Sequence, residues 1–183
     1  MGAGYPRRGP RGRERGRRAG TLGAVRRVLV LGSTGSIGVQ ALEVIDAADD
    51  LVAVGLACGA RLQDMRGQAE RRGIAHTVCA AGGGTLPATA DLAGLMEASQ
   101  PDLVLNALVG AAGLQPTLAA LERGIPVALA NKESLVAGGD LVAAARTRTG
   151  AMLIPVDSEH SALFQLVADL PPERITRLVV TAS

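Results

Sequence analysis

Aromatic side chains are almost missing from this chain: Trp is absent, and Tyr5 and Phe164 are the only Tyr and Phe in 183 residues. Single-stranded nucleic-acid grooves stack bases on aromatic platforms, so the composition argues against that class of function. Any core has to be packed from Ala, Val, Leu and Ile, which the 48% hydrophobic content supplies. Cysteine is as sparse. Cys58 and Cys79 show neither a C-x-x-C metal spacing nor the density of a disulfide scaffold, and read as buried thiols in a reducing compartment. No run approaches the roughly 20 apolar residues of a membrane span, and no apolar stretch follows the basic N-terminus as a signal peptide requires. These absences predict a cytoplasmic protein with no membrane partner.

The net charge of +2 divides unevenly. Residues 1–27 hold nine arginines and one acid, a local +8, so the remainder carries 2 − 8 = −6. An Arg/Gly/Pro-rich arm buries too little apolar surface to offset its ordering entropy, and residues 1–25 are expected to be disordered. An arm for nucleic acid is the minor alternative; no nucleic-acid partner is expected for the acidic remainder.

After the arm, short apolar runs alternate with amphipathic stretches, the rhythm of a parallel sheet covered by helices. Strands are predicted at Arg27–Leu31, Leu51–Ala57, Thr77–Ala80, Leu103–Leu105, Val127–Ala130 and Met152–Val156, with a further strand-like run at Leu178–Thr181. Helices are predicted at Ser36–Ala47, Arg61–Arg72, Thr89–Ala98, Leu114–Arg123, Leu135–Arg148 and His160–Ala168, and a flexible turn at Ala81–Pro87. The fold class is α/β, a Rossmann-like doubly wound, mostly parallel sheet. Residues 26–150 are assigned to a nucleotide-binding domain, and 151–183 to the start of a second, catalytic domain that is cut off. Polar clusters follow the strands, and in open α/β sheets ligands bind outside the carboxyl ends of strands.

The first strand runs into Gly32-Ser33-Thr34-Gly35-Ser36-Ile37-Gly38 and then a helix. Glycines at this spacing let backbone approach a diphosphate that sits on the helix N-terminus. No Gly-Lys-Ser/Thr closes the loop, which excludes a P-loop. The second strand ends in Cys58-Gly59-Ala60-Arg61 with no acid for a ribose 2′-hydroxyl; an arginine suits a 2′-phosphate, which favours NADP over NAD, although Arg61 also suits a solvated helix start. Lys132 is the only lysine beside eighteen arginines, as expected of a position that needs a compact charge or a transferable proton, or else of chance plus an ion pair to Glu133. Asp157 and Glu159 flank Ser158; in an extended segment both carboxylates share a face and suit a hard cation such as Mg²⁺ or Mn²⁺. The same acids suit a helix N-terminus, where Asp157 or Ser158 would cap. His76 and His160 read as structural.

Leu-Gly-Ser-Thr-Gly-Ser-Ile-Gly at 31–38, Val-Gly-Ala-Ala-Gly-Leu-Gln-Pro-Thr-Leu at 109–118, Ala-Asn-Lys-Glu-Ser-Leu-Val at 130–136 and Pro-Val-Asp-Ser-Glu-His-Ser-Ala at 155–162 together resemble the front part of the 1-deoxy-D-xylulose 5-phosphate reductoisomerase family. The resemblance implies NADPH at Thr34, Gly35, Ser36 and Ile37, with Gly59, Ala60 and Arg61 beside its adenosine end and Asn131 and Glu133 also in contact. It further implies substrate, a sugar phosphate, at Lys132 and Ser158, divalent metal at Asp157 and Glu159, and a homodimeric full-length enzyme. Where the family typically shows a basic residue and then Asn, this chain has Ala60-Arg61, so the 2′-phosphate contact is expected at Arg61. The third carboxylate ligand, the substrate-phosphate residues and the closing flap are expected beyond Ser183, and the 183 residues alone are expected to be inactive. A short-chain dehydrogenase needs Tyr-x-x-x-Lys, and the only tyrosine is Tyr5. A non-catalytic NADP-binding module is the remaining alternative.

Overall fold

The computed structural model describes residues 25–82, 84, 92–168 and 170–180. Among these described residues six strands form one sheet: β1 (Arg26–Leu31), β2 (Leu51–Cys58), β3 (His76–Cys79), β4 (Leu103–Asn106), β5 (Val127–Leu129) and β6 (Leu153–Pro155). All adjacent pairs are parallel, in the order β3-β2-β1-β4-β5-β6. The crossovers carry α1 (Ser36–Asp46), α2 (Leu62–Arg72), α3 (Leu92–Ser99), α4 (Leu114–Glu122) and α5 (Glu133–Thr149), and α6 (Ser158–Val167) follows β6. This is the doubly wound order with its switch point between β1 and β4, where two crossovers part and leave a crevice.

Parallel strands covered on both faces need apolar residues at successive positions. In β1, Leu29 and Leu31 pack with α3, α4 and α5 through Leu95, Met96, Leu121 and Val142. Val28 and Val30 face the other way, toward Leu42 and Ile45 of α1 and Met65 and Ala69 of α2. Two thin cores of aliphatic side chains therefore replace one aromatic core, each fully buried Leu or Val contributing about 1.5–3 kcal/mol. Cys58 and Cys79 face each other in register across β2 and β3, both buried and free. Burial first, and then the hydrogen bond with the neighbouring thiol, pushes Cys58 up to about 12, which makes it a packing residue and not a nucleophile.

Several boundaries differ from the sequence reading. The last strand of the sheet, β6, is supplied by the segment 151–183 and pairs with β5. Helices α5 and α6 each start two residues early, at Glu133 and Ser158, because their chains turn into helix directly after the strand ends. Leu178–Val180 are exposed and in no strand: an apolar run becomes a strand only where an edge supplies hydrogen bonds, and none of the six strands pairs with it. The arm at 1–24, the turn at 85–87 and the helix start at 89–91 lie outside the described residues, as does Thr181.

Helix α5 is bent at Gly138 (φ −142°, ψ 29°). A Cβ there would stand 2.6 Å from Leu114 Cδ1, so any larger residue would have to displace the Leu114 side chain from between α4 and α5. The bend sets Glu133–Ala137 apart as a separate short helical turn that follows β5.

Candidate functional site

Each carboxyl end on the crevice side contributes a loop. Between β1 and α1 the chain turns at Gly32 (φ +84°), and Gly32 and Ser33 both donate backbone hydrogen bonds to the Ala57 carbonyl at 2.9 Å. Gly35 is the extended N-cap of α1, with no side-chain cap to cover the helix N-terminus. Gly38 lets α1 lie on the loop itself: a Cβ would come within 2.2 Å of the Gly32 oxygen. The three glycines thus serve a turn, an open helix end and a close helix-to-loop contact, which are the three requirements of a dinucleotide loop. Gln68 of α2, buried beside Met65 and Ala69, donates from Nε2 to the Ser33 carbonyl at 2.9 Å. Thr34 is buried, while Ser36 and Ile37 are exposed at the helix start.

The second wall is the loop from Ala107 to Gly113, and two buried asparagines hold it. Asn106 Nδ2 donates to the Gly113 carbonyl and to Thr117 Oγ1, both at 2.8 Å. Asn131 Nδ2 donates to the carbonyls of Leu108 (2.7 Å) and Gly110 (2.8 Å), and its Oδ1 accepts from Ser134 N–H at 2.9 Å and from the Ser134 hydroxyl. The Asn131 side chain, 1% exposed, is therefore committed to the loop, and what it offers a ligand is backbone.

Gly35, Ser36, Ile37, Lys132 and Glu133 line one cavity of about 210 Å³ with the 107–109 loop. A second cavity of about 230 Å³ is lined by Lys132, Asp157, His160 and Phe164 among others. Lys132 borders both. No ion pair joins it to Glu133, but its charge helps lower the Glu159 carboxyl, after the larger effects of Glu159's own backbone N–H and the Ser158 hydroxyl, which donates to Glu159 Oε2 at 2.9 Å. Asp157 is the N-cap of α6 yet makes no side-chain capping hydrogen bond; its Oδ2 instead meets His160 Nδ1 at 2.5 Å. Burial alone would raise the Asp157 carboxyl, but the hydrogen bond and charge of His160 bring it below the ordinary carboxylate value. Ser158 and Glu159 are exposed beside this cavity and do not line it.

Gly59, Ala60 and Arg61 are exposed after β2, next to β1 in the sheet, on the same edge but outside both cavities; Arg61 occupies the N-cap of α2. Two features escaped the sequence reading. The His160–Asp157 pair follows from a three-residue separation once Asp157 starts a helix. Gln68 shows as the one polar residue in the buried stripe Met65, Gln68, Ala69. Among the described residues no group of three or more His, Cys, Asp or Glu converges on a metal position, and no helix is long and apolar enough to cross a membrane.

A family model described as 1-deoxy-D-xylulose 5-phosphate reductoisomerase matches residues 28–139. The reductoisomerase of Leifsonia xyli subsp. xyli is 49% identical over 161 residues, covering 87% of this chain and 42% of the relative. That of Mycobacterium leprae is 50% identical over 173 residues, covering 90% and 42%. Among solved structures, the Zymomonas mobilis reductoisomerase in complex with NADPH superposes with a TM-score of 0.67 at 39% identity, over 76% of this chain and 41% of that one. A reductoisomerase in complex with NADPH, fosmidomycin and magnesium gives 0.69 at 31% identity, over 81% and 40%. The chain thus spans about two-fifths of the length of the curated relatives it matches.

Proposed function

From the premise that the chain belongs to the 1-deoxy-D-xylulose 5-phosphate reductoisomerase family, we propose that it forms the NADPH-binding part of such an enzyme and one wall of its metal and substrate site. The reaction is the rearrangement of 1-deoxy-D-xylulose 5-phosphate and its reduction to 2-C-methyl-D-erythritol 4-phosphate. The observation that carries this reading is Lys132, which borders both the cavity beside the dinucleotide loop and the one that holds Asp157. A residue so placed can touch a substrate lying between cofactor and cation.

The residues suit the groups they would hold. Gly35 leaves the α1 N-terminus uncapped and Gly38 keeps the loop tight against α1, which fits a diphosphate. Arg61 at the head of α2 fits a 2′-phosphate. Asp157 and Glu159 are hard oxygen donors on one turn; two carboxylates hold a divalent cation in part and leave the rest of its shell to water or substrate oxygens. When bound, NADPH supplies a hydride, and Mg²⁺ or Mn²⁺ supplies positive charge at substrate oxygens. The chain's own residues bind and orient: Lys132 places a positive charge between the cavities, the exposed Ser158 hydroxyl donates to Glu159 and keeps its oxygen lone pairs for substrate, and His160 holds the Asp157 carboxylate in one orientation. Asn106 and Asn131 fix the opposite wall, so both sides of the crevice are preorganised. Residues 26–150 form the nucleotide part and 151–183 begin the metal and substrate part, in a cytoplasmic enzyme that acts as a homodimer at full length.

Titration with NADPH, followed by its own fluorescence, tests the cofactor reading; no binding by the chain overturns it. Turnover is a separate matter, because two carboxylates and an open crevice leave the substrate poorly held. A polypeptide of these 183 residues is expected to bind NADPH without oxidising it when 1-deoxy-D-xylulose 5-phosphate and Mn²⁺ are added. Turnover at even about a hundredth of the median enzyme rate, roughly 10 s⁻¹, would show that residues 25–183 suffice for catalysis.

A further inference from the structure

Ser33 and Gln68 stand 35 positions apart in the chain and meet in the interior, 0% and 6% exposed. Their one hydrogen bond runs from Gln68 Nε2 to the Ser33 carbonyl, at 2.9 Å. The two remaining side-chain polar atoms of the pair, Ser33 Oγ and Gln68 Oε1, are enclosed with no partner among the described residues. A methionine or leucine would fill the place between Met65 and Ala69 and leave nothing of its own unpaired, so stability alone does not account for an amide here. What the amide does is orient a peptide group. No peptide bond among the described residues is cis, and in a trans peptide the carbonyl and the next N–H point in opposite directions. Drawing the Ser33 carbonyl onto α2 therefore turns the Thr34 N–H away from α2. If that peptide were free to rotate, a carbonyl oxygen would face the diphosphate in place of an N–H donor.

Three other contacts fix the rest of the loop but not this peptide. Gly32 and Ser33 N–H groups are tied to the Ala57 carbonyl, and Gly35 N–H to the Gly32 carbonyl, all at 2.9 Å. Gln68 supplies the missing constraint, and it supplies it from the helix that begins at Arg61. We propose that Gln68 is a positioning residue of the cofactor site: through the Ser33 carbonyl it sets the Gly32–Gly35 loop for the diphosphate and fixes that loop relative to Arg61. This rests on the NADPH reading above and assigns Gln68 no contact with the cofactor.

The test compares the wild-type chain with Gln68→Met, which keeps the volume and removes the donor. Calorimetry follows two ligands, NADPH and adenosine 2′-monophosphate, which lacks the diphosphate. Gln68→Met is expected to weaken NADPH by about tenfold or more, the worth of a hydrogen bond to a charged group, while adenosine 2′-monophosphate stays within a factor of about two. Equal loss for both ligands assigns Gln68 a general structural role and overturns the proposal, as does unchanged NADPH affinity. If the wild-type chain binds no NADPH, the cofactor reading fails and takes this inference with it. Should Gln68→Met not fold, Gln68→Glu carries the test, because its acid donates to the Ser33 carbonyl only when protonated. Its NADPH affinity relative to wild type should then recover as pH falls from 9 to 6, and a pH-independent ratio overturns the proposal.

Discussion

Replacing Gly38 by alanine sets a gain against a clash, and the geometry decides between them. As a residue of α1, alanine in place of glycine is worth about 1 kcal/mol in helix propensity. The new Cβ, however, would lie 2.2 Å from the Gly32 oxygen and 2.7 Å from Ser33 Cα, where real contacts keep to at least 3.0 Å. Loop and helix must separate by about 0.8 Å, and both obstacles are backbone, so no flexible side chain can swing aside. Overpacking of this kind costs roughly 1–3 kcal/mol and sometimes more; at the upper end the net loss is about 2 kcal/mol. For a domain of this size that is a fall in Tm of roughly 4–8 °C. The same movement lengthens any N–H contact to a bound diphosphate beyond hydrogen-bonding range, and losing one or two such bonds weakens NADPH by about ten- to a hundredfold. Gly139→Ala is the control: it sits in α5 with nothing within 4 Å of its would-be Cβ, and should gain up to about 1 kcal/mol with nucleotide affinity unchanged. Urea unfolding and NADPH titration of both variants measure these quantities. If Gly38→Ala is as stable as wild type and binds NADPH equally well, the reasoning about the loop is wrong.

Arg61 at the N-cap of α2 and the absence of an acid at 58–61 predict that NADPH binds about tenfold more tightly than NADH and that Arg61→Ala removes the difference; equal wild-type affinities refute it. Asp157 and Glu159 should bind Mn²⁺ weakly, with Asp157→Asn weaker still by electron paramagnetic resonance; an unchanged affinity returns both acids to a role at the helix end. The Asp46 carboxylate takes two hydrogen bonds from Arg72, at 2.8 and 2.6 Å, and that bond holds it below its ordinary value of 3.8. Because the folded-state value is the lower one, this stabilisation is complete above about pH 4 and is lost as pH falls through the depressed value. Asp46 is exposed, so Asp46→Asn should cost less than about 1 kcal/mol near neutrality and nothing at acid pH, by urea unfolding at each pH.

The strands and the dinucleotide loop were legible in the sequence because their signals are local. Apolar runs ending in Gly32-Ser33-Thr34-Gly35 need no knowledge of distant residues, and Arg61 marks the head of α2 by its place after the second strand. What escaped depends on partners far along the chain. Gly138 reads as an ordinary helix glycine until Leu114, 24 positions earlier, is seen against it. The resemblance sets Asn131 beside a cofactor, but that its side-chain amide donates to carbonyls 21 and 23 positions away is visible only in the fold. Leu178–Val180 read as a strand on hydrophobicity alone, which says nothing of a pairing edge. Gln68 was within reach of periodicity, as a polar residue on a buried stripe, but its purpose appears only once Ser33 lies beside it.

The strand order also governs how the molecule assembles. The β1–β2–β3 half spans residues 26–79 and the β4–β5–β6 half residues 103–155, each built from neighbours in sequence, and in the sheet they meet only where β1 pairs with β4. That seam closes a loop of more than 70 residues, the largest entropic step among the strand pairings. At its lower end Arg27 is bound three ways: its N–H donates to the Asp102 carboxylate, its guanidinium to the Ser99 carbonyl, and its carbonyl accepts from Asp102 N–H. Nucleation within each half and late docking along the β1–β4 seam is the consequence. Mutations at Asp102 should then speed unfolding and leave the folding rate nearly unchanged, whereas Leu56, which pairs only with Val30 and Thr77 inside one half, should slow folding. Stopped-flow chevrons that show a slowed folding limb for Asp102→Ala would place the seam in the nucleus and reverse this order.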